Sequence, residues 1–417
     1  MNGTLTWQLA LRYLRGRRSA NAVPILSRIS MVAIGVGSAA MIIMFSVFNG
    51  LESVVKDSYR AFYPDVRILP KEGKFFNANA LNMDALKHIP GVAHVAPVLE
   101  DDALVGNENE FSVSATQQRI VSVKGVTNEY FAVNEVGNYI EKGGADTLSQ
   151  GESNTVIVGI ELSHVLGAEP DNSFSYLMLY YLNPDVRNPE ADPANAFQTL
   201  KLHPSGAFRV LGDFDDKYML APLPLIQQLF HAEGRLSAVE LKTAPGKAEE
   251  VKRALQQQLG NTFKIQTRFE QNQTLYMVMS GEKWAMYAIL LFVLIIASFN
   301  MMGALSMLVL QKRKDIAILK AMGATNRSIR SVFLMEGVLW ACTGGVTGLL
   351  IGMGICGAQQ KFNLIKMQGM VVNAYPVKFV VTDMLLVLFT IISVALVMSL
   401  LPAYRATRTV DVSLKSN

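Results

Sequence analysis

The chain has 417 residues, of which 50% are hydrophobic and 17% are charged, and its net charge is +4. Its mean hydropathy of +0.25 is too high for a soluble enzyme of this length and too low for a chain that lies entirely within a membrane. These values exclude both extremes. The small net charge favours anionic lipid headgroups over nucleic acid as partners of the cations.

Four uncharged segments are long enough to cross a bilayer, which takes about 20 apolar residues. They are Ile29–Leu51, Trp284–Gln311, Gly337–Gln360 and Met384–Tyr404. We therefore predict an α-helical integral membrane protein with four transmembrane helices and an α+β domain inserted between helices 1 and 2. The predicted boundaries are 1–24 for a cytoplasmic interfacial helix, 25–51 for helix 1, 52–283 for the inserted domain, 284–311 for helix 2, 312–330 for a cytoplasmic connection, 331–360 for helix 3, 361–383 for an outer loop, 384–404 for helix 4 and 405–417 for a cytoplasmic tail.

Cations are concentrated before the first uncharged segment, between the second and third, and after the fourth. By the positive-inside rule these three places lie in the cytoplasm, and the inserted domain lies outside. A cleaved signal peptide is the alternative interpretation of the arginine-rich start, but the apolar segment is longer than a typical signal-peptide core. Thr4–Arg18 is typical of an interfacial helix, with an elbow packed on the spans as the alternative.

The first uncharged segment changes character along its length. Small residues fill its inner half, which predicts close helix contact. Its outer half carries Met41, Met44, Phe45 and Phe48, a soft apolar surface that suits varied acyl chains. Plain lipid-facing bulk explains the same composition.

The inserted domain has the pattern of short strands and helices. The predicted helices are Asn82–His88, Glu161–Leu166, Leu223–Phe230 and Lys247–Leu259. The predicted strands are Val66–Leu69, Val92–Leu99, Ile120–Val126, Thr155–Ile160, Phe174–Leu182, Phe208–Phe214, Val239–Leu241 and Phe263–Gln266. We expect two lobes, a helix-bearing one built from both ends of the domain and a strand-rich one from its middle.

Asn183–Phe197 is rich in proline and has no apolar period, so it is expected to project as a loop. Long ordered loops are often functional, and partner docking is one hypothesis. A disordered insertion is the alternative. The residues assigned to docking are Asn183, Pro184, Arg187, Pro189 and Pro193.

The connection after the second uncharged segment reads as a short amphipathic helix, because Ile316, Leu319 and Met322 recur every three residues. Gly323 is expected to end this helix and Thr325 to cap the next. Such a helix, rimmed by cations, suits contact with a cytoplasmic protein, and an ordinary surface turn is the alternative. The residues assigned to the contact are Asp315, Ile316, Ile318, Leu319, Met322 and Gly323.

Helix packing explains three further features of the membrane segments. The third carries Gly344, Gly348 and Gly352 at four-residue spacing, a face on which another helix can pack closely. Asn300 in the second is expected to form a helix-to-helix hydrogen bond, with a functional polar site as the alternative. Pro402 is expected to end the fourth helix.

Catalytic and cofactor motifs are missing. The five histidines have no metal-ligand spacing, and the chain contains no nucleophile elbow and no P-loop. Gly352–Gly357 matches a dinucleotide-binding pattern, but it lies within a membrane segment, where helix packing explains it better. We therefore predict a non-catalytic membrane subunit that binds no cofactor or metal itself.

Several segments resemble the lipoprotein-releasing ABC permeases of the LolC/LolE family, within the wider MacB/FtsX-like group. Asp315–Thr325 resembles the coupling-helix signature of that group. The N-terminal element and the exit from the first span are similar to the lipoprotein-releasing branch in particular. The other matching segments are Leu11–Arg18, Phe48–Glu52, Val156–Leu162, Phe208–Phe214, Ser298–Asn300 and Pro402–Ala406.

The resemblance implies a permease subunit of the bacterial inner membrane with a periplasmic domain of porter-like and sabre-like lobes. It implies a second permease subunit, a LolD-like ATPase dimer that uses ATP and Mg, a lipoprotein cargo and a LolA-like periplasmic carrier. Acyl chains would lie between the first and second spans, near the residues of the outer half named above and near Met286 and Tyr287. A MacB-like efflux permease and an FtsX-like regulator of cell-wall hydrolases are the alternatives.

Overall fold

A computed structural model describes residues 23–107, 118–144, 148, 154–172, 174–183, 186, 196–210, 212–366 and 374–413. Four helices in this part of the chain are long and apolar enough to span a membrane, which confirms the four predicted spans. They are span 1 (Val23–Phe62), span 2 (Gln273–Gln311), span 3 (Asn326–Phe362) and span 4 (Val381–Ser413), and the connecting helix (Arg313–Ala321) lies between spans 2 and 3. The predicted interfacial helix at the N-terminus lies outside the described residues.

The chain divides into two compact units. One contains the membrane segments of the four spans and the connecting helix, and the other contains residues 54–276. The spans and the inserted domain are therefore described separately.

Every spanning helix is longer than the uncharged segment that predicted it, because polar residues continue the helix at its ends. The largest difference is at Pro402, where the prediction that span 4 ends was wrong. The helix continues through Pro402 to Ser413. Proline removes one N–H from the helix ladder, and packing against neighbouring helices compensates for the loss. Here Pro402, Ala403 and Ala406 are all buried within the bundle of spans.

Spans 1 and 3 pack closely through small residues. Gly348 lies against the carbonyl group of Gly35, and the Ser38 hydroxyl donates a hydrogen bond of 3.0 Å to the Gly345 carbonyl oxygen. A Cβ atom on Gly344 or Gly348 would overlap the backbone of span 1. The two backbones therefore approach to a distance that only glycine permits at these positions.

The inserted domain is built on a ten-stranded sheet in the order β12-β1-β11-β3-β4-β9-β6-β8-β5, with β7 paired to β3 and β8. The strands are β1 (Val66–Pro70), β2 (Phe76–Asn77), β3 (Val92–Asn107), β4 (Arg119–Val126), β5 (Ile140–Gly143), β6 (Thr155–Gly159), β7 (Leu177–Leu182), β8 (Phe197–Phe208), β9 (Tyr218–Pro222), β10 (Arg235–Leu236), β11 (Ala238–Thr243) and β12 (Phe263–Thr267). Strands β2 and β10 form a separate pair. The domain helices are Met83–Lys87, Glu129–Val133, Ile160–Leu166, Gly212–Asp215, Leu223–Leu229, Ala248–Leu259 and Arg268–Gln271.

The two expected lobes are the two ends of this sheet. Strands from both ends of the domain sequence, β1, β11 and β12, form one end, and strands from its middle form the other. The 16-residue strand β3 joins them, since it pairs with β11 through Val92–Val98 and with β4 through Leu99–Val105. The sheet is buried on both faces, as β6 shows: Val156 and Val158 contribute to one hydrophobic core and Ile157 to the other.

One predicted strand is wrong. Phe208–Phe214 is not extended, because β8 already ends at Phe208 and a short helix, Gly212–Asp215, follows. Strand β8 itself contains Pro204 and Gly206, residues that normally interrupt strands. The pairing of β8 with β6 shifts register at this point, so a β-bulge accommodates them.

A network of four charged side chains is buried within the sheet. The Lys124 ammonium lies 3.2 Å from Glu240 and 3.6 Å from Glu100, and Arg67 donates a hydrogen bond of 2.5 Å to Glu100. The Asn134 amide donates a further bond of 2.6 Å to Glu240. Burial alone would raise the pKa of Glu100, but Lys124 and Arg67 outweigh it and hold that pKa at about 2. The ionised Glu100 therefore stabilises the fold above pH 4.5, and this contribution is lost as the pH falls towards 2.

We predict that Lys124→Met destabilises the domain, because it leaves Glu240, which is 0% exposed, without its closest cation. Removal of one partner from a buried ion pair costs about 3–5 kcal/mol. Calorimetry of the full-length protein in detergent measures the loss. The control is Lys74→Met, which removes an exposed contact with Asp101 and should cost less than about 1 kcal/mol. Equal effects of the two variants would contradict the importance of the buried network.

We also predict that Gly348→Ala separates spans 1 and 3, because the new methyl group overlaps the Gly35 carbonyl group and the Ser38 hydroxyl. Overpacking of this kind costs about 1–3 kcal/mol. The matched control is Gly354→Ala on the same helix, where a Cβ atom meets nothing within 4 Å. Thermal unfolding in detergent should show a lower midpoint for Gly348→Ala only, and an unchanged midpoint would refute the close contact.

Candidate functional site

The connecting helix is a defined nine-residue element with a sharp end at each side. Gly323 adopts φ +90°, a left-handed conformation that favours glycine, and so ends the helix as predicted. The Thr325 hydroxyl accepts a hydrogen bond from the Ser328 amide and caps span 3, also as predicted. These two residues fix the connecting helix between spans 2 and 3.

The residues assigned to a partner contact do not share one face of this helix. Ile318 and Met322 are 59% and 71% exposed, whereas Ile316 is 2% exposed and lies in the core of the spans. Leu319 is half-buried, and Gly323 is exposed. Asp315 lies 3.0 Å from the Lys312 ammonium. The apolar surface available to a partner is therefore centred on Ile318 and Met322, one helical turn apart.

The opposite face of the connecting helix is attached to span 4. Ile316 is buried beside Ala403 and Ala406, and the Lys320 ammonium donates a hydrogen bond of 3.1 Å to the Thr407 carbonyl oxygen. Arg330 of span 3 reaches the same region, with its guanidinium 4.3 Å from the centre of the Tyr404 ring. The sequence gave no signal for these contacts, because span 4 lies some 80 residues further along the chain.

The residues assigned to an acyl-chain cleft are divided between the core and the surface of the spans. Met41 and Phe45 are buried, and the Phe45 ring stacks on Tyr287 with 6.2 Å between ring centres. Met44 is 40% exposed, while Phe48 and Met286 are partly exposed. In this conformation spans 1 and 2 are in contact at Phe45 and Tyr287, so the cleft between them is closed there.

A polar cluster joins three spans close to these aromatic rings. The Lys283 ammonium of span 2 lies 3.0 Å from Asp383 of span 4 and 3.0 Å from the Asn49 side-chain oxygen of span 1. The Asn49 amide donates a hydrogen bond of 2.7 Å to Asp383. Lys283 also lies 5.8 Å from the centre of the Phe45 ring. Sequence reasoning missed this cluster, since each residue lies at the end of an apolar segment and was interpreted as a boundary.

Two intramembrane polar residues differ in their surroundings. Glu336 of span 3 is buried, and its carboxylate accepts a hydrogen bond of 2.9 Å from the Trp340 indole. We did not single out Glu336, because the uncharged segment begins one residue later. Asn300 of span 2 is exposed rather than packed against another span of this chain.

The predicted docking loop lies mostly outside the described residues, including Pro184, Arg187, Pro189 and Pro193. Asn183 is described, and its amide donates a hydrogen bond of 2.9 Å to the Ala196 carbonyl oxygen. This bond lies at the ends of β7 and β8, so the loop joins two paired strands. Its role in docking stays a prediction.

Among the described residues, no group of three or more His, Cys, Asp or Glu side chains is arranged to hold a metal ion. Gly352–Gly357 lies inside the uninterrupted helix of span 3. Gly352 itself faces span 1, since a Cβ atom there would lie 3.1 Å from the Ala39 carbonyl oxygen. Helix packing therefore accounts for this glycine pattern.

Two family models match the chain. Residues 27–171 match the MacB-like periplasmic core domain, and residues 287–410 match the FtsX-like permease C-terminal family. The periplasmic region of MacB from Actinobacillus actinomycetemcomitans is similar at 10% identity and a TM-score of 0.36, covering 54% of this chain and 98% of that one. The extracellular domain of the transporter YknZ is similar at 11% identity and a TM-score of 0.33, covering 48% and 99%.

Curated relatives are similar over nearly the whole chain. The lipoprotein-releasing system transmembrane protein LolC of Neisseria meningitidis is 24% identical over 96% of both chains. The LolE protein of the same system in Haemophilus influenzae is also 24% identical over 96% of both chains. Together with the two family models and the arrangement of four spans around an inserted α+β domain, these similarities show that this chain belongs to the LolC/LolE family of ABC transporter permeases.

Proposed function

We propose that this permease extracts mature lipoproteins from the outer leaflet of the bacterial inner membrane and passes them to a periplasmic carrier. A separate ATPase drives the process through the connecting helix. The curated relatives named for lipoprotein release support the cargo. The observation that carries the mechanism is the exposed pair Ile318 and Met322 on a short helix whose other face is attached to span 4.

The four apolar helices and the MacB-like domain fit an inner-membrane protein. We propose that both termini and the connecting helix lie in the cytoplasm and the inserted domain in the periplasm. Arg313 and Lys314 at the start of the connecting helix, together with Arg327 and Arg330 after it, support this orientation by the positive-inside rule. The exposed pair then lies where a cytoplasmic ATPase can reach it.

Force from the partner would enter two spans at once. The connecting helix follows span 2 directly, with Lys312 as the residue between them, so a push on Ile318 and Met322 acts on the end of that helix. Burial of Ile316 and the bond from Lys320 to Thr407 carry the same push to span 4. Sequence analysis proposed span 2 alone as the lever, and the structure adds a second path.

The far ends of spans 2 and 4 meet in the cluster of Asn49, Lys283 and Asp383. Displacement of either span would strain this cluster and the adjoining stack of Phe45 on Tyr287. We propose that separation of these contacts opens the cleft between spans 1 and 2 for acyl chains, with the partly exposed Met44, Phe48 and Met286 at its entrance.

Extraction of a lipoprotein requires an external source of energy. Removal of an acyl chain from the bilayer costs about 0.8 kcal/mol for each CH₂ group, and a mature triacylated lipoprotein has three chains. Contacts in a cleft recover part of this cost, but release to a carrier must then overcome them. A passive receptor therefore cannot complete the cycle, whereas ATP hydrolysis in a partner can.

We predict that Ile318→Asp combined with Met322→Asp abolishes co-purification of the ATPase, because charge replaces the exposed apolar pair. Both positions point away from the core, so the amount of membrane-inserted protein should be unchanged. Leu364→Asp is the matched control, an equally exposed apolar residue beyond the opposite end of span 3. Pull-down from mild detergent measures the outcome, and retention of the ATPase by the double variant would refute the docking face. Charge at Ile316 would instead disrupt the core, so it cannot serve as this test.

We also predict that a photo-crosslinker at Met44 captures triacylated lipoproteins in cells, since this exposed residue borders the proposed cleft. A crosslinker at Val397 of span 4, which is 63% exposed and far from the cleft in sequence, is the control. Mass spectrometry of the adducts distinguishes cargo from membrane lipid. Capture of bulk phospholipid alone at both positions would argue against lipoprotein release.

A further inference from the structure

Asn300 is a polar side chain on the exposed surface of span 2. It precedes Lys312 by twelve residues, which corresponds to about 18 Å along a helix. This places it near the middle of a hydrocarbon core of about 30 Å. Its side chain makes no hydrogen bond with any residue in the described part of the chain. The other polar residues buried in the spans, such as Glu336 and Ser38, do have partners.

Lipid cannot satisfy this amide. An amide that loses its hydrogen bonds to water in an apolar environment is strongly disfavoured, because hydrocarbon offers neither donors nor acceptors. Polar residues in membrane helices accordingly face protein or water-filled cavities rather than acyl chains. The exposure of Asn300 in the single chain therefore indicates that another protein surface covers it.

The surface around Asn300 suits a second helix. Gly303 lies one turn away, and a Cβ atom built on it meets nothing within 4 Å. Small residues allow two helix backbones to approach closely, and amides hydrogen-bond across such contacts. The exposed apolar residues of the same stripe are Ile296, Phe299, Met307 and Leu310.

We infer that this face of span 2 binds the same face of a second copy of the chain, with the two Asn300 side chains hydrogen-bonded to each other. A carboxamide contains both a donor and an acceptor, so two identical amides are complementary across a two-fold axis. A partner with only apolar residues at this position would leave the amide unsatisfied. The inference rests on the proposed function only for the existence of a second permease subunit.

The charge at the end of the stripe limits the geometry of the pair. Lys314 follows Leu310 by four residues and continues the same face beyond the membrane. Two parallel copies in contact along their full length would bring these cations together. The helices therefore cross at Asn300 and Gly303 and diverge towards the connecting helices, which leaves Ile318 and Met322 of each copy accessible to an ATPase.

Cysteine crosslinking in native membranes tests the contact. In a full-length chain with Cys342 and Cys356 replaced by alanine, oxidation should link Asn300→Cys and Gly303→Cys into dimers, because a disulfide requires Cα atoms within about 7 Å. Leu350→Cys in span 3 and Val397→Cys in span 4 are exposed controls that should stay monomeric. Absence of dimers at both span 2 positions would overturn the inference. A crosslink to a different polypeptide would also overturn it, because the partner would not be a second copy.

A second measurement tests the amide itself. Asn300→Leu removes both hydrogen bonds of the pair, and at the strength typical of interhelical bonds this should raise the dimer dissociation constant in detergent roughly tenfold. Thr347→Leu is the control: Thr347 is also exposed in a span, but its hydroxyl already donates to the Thr343 carbonyl oxygen at 2.8 Å. An unchanged dissociation constant for Asn300→Leu would contradict the paired amides.

Pull-down of the ATPase and lipoprotein crosslinking at Met44 are measured on the same preparations. Loss of these signals with dimers intact would count against the proposed function and not against the contact. Loss of dimers with cargo still captured would do the reverse.

Discussion

The membrane part of this protein depends on one constraint: a polar group within the hydrocarbon core must find its partner in protein. The chain meets this constraint in several ways. Ser38 bonds the backbone of span 3, Glu336 accepts from Trp340, and Lys283 is held between two side chains from other spans. Each of these contacts also fixes the position of a helix. The polar residues of the spans thus determine how the helices pack, while the apolar residues determine only that they insert.

The same contacts define how the spans can move. Spans 1 and 3 touch through glycine and backbone, which leaves little freedom to slide or separate. Spans 2 and 4 are instead joined to their neighbours through side chains at their ends, by the Lys283 cluster at one end and by Lys320 and Thr407 at the other. Side-chain contacts can break and form again without repacking a core. A fixed pair and a movable pair of helices is the arrangement that a permease driven from one side requires.

Much of this architecture could be predicted from sequence, because it depends on properties that are local in the chain. Apolar length identified the four spans, glycine spacing identified the packed face of span 3, and Gly323 marked the end of the connecting helix. The errors came from tertiary context. Pro402 did not end span 4 because neighbouring helices hold the residues after it, and Pro204 did not prevent β8 because a bulge accommodates it.

The functional surfaces were harder to predict for the same reason. Ile316 and Met322 lie on one stripe of a helical wheel, yet one is buried against span 4 and the other is exposed, since the connecting helix is short and packs obliquely to that stripe. The cluster of Asn49, Lys283 and Asp383 brings together residues separated by more than 200 and 300 positions from the first of them. No periodicity within a window of sequence reports such proximity. Asn300 was assigned to packing within the chain, and only the structure shows that its side chain is exposed.

Strand β3 has a consequence for how the inserted domain opens and closes as a folded object. Because its 16 residues pair with both ends of the sheet, neither end can lose its hydrogen bonds without removing a partner strand from the other. The domain should therefore unfold as a single cooperative unit, and its most protected amide protons should exchange with solvent by the same global event. A protein that is pulled repeatedly through its membrane helices gains from this design, since partial unravelling of one lobe is suppressed.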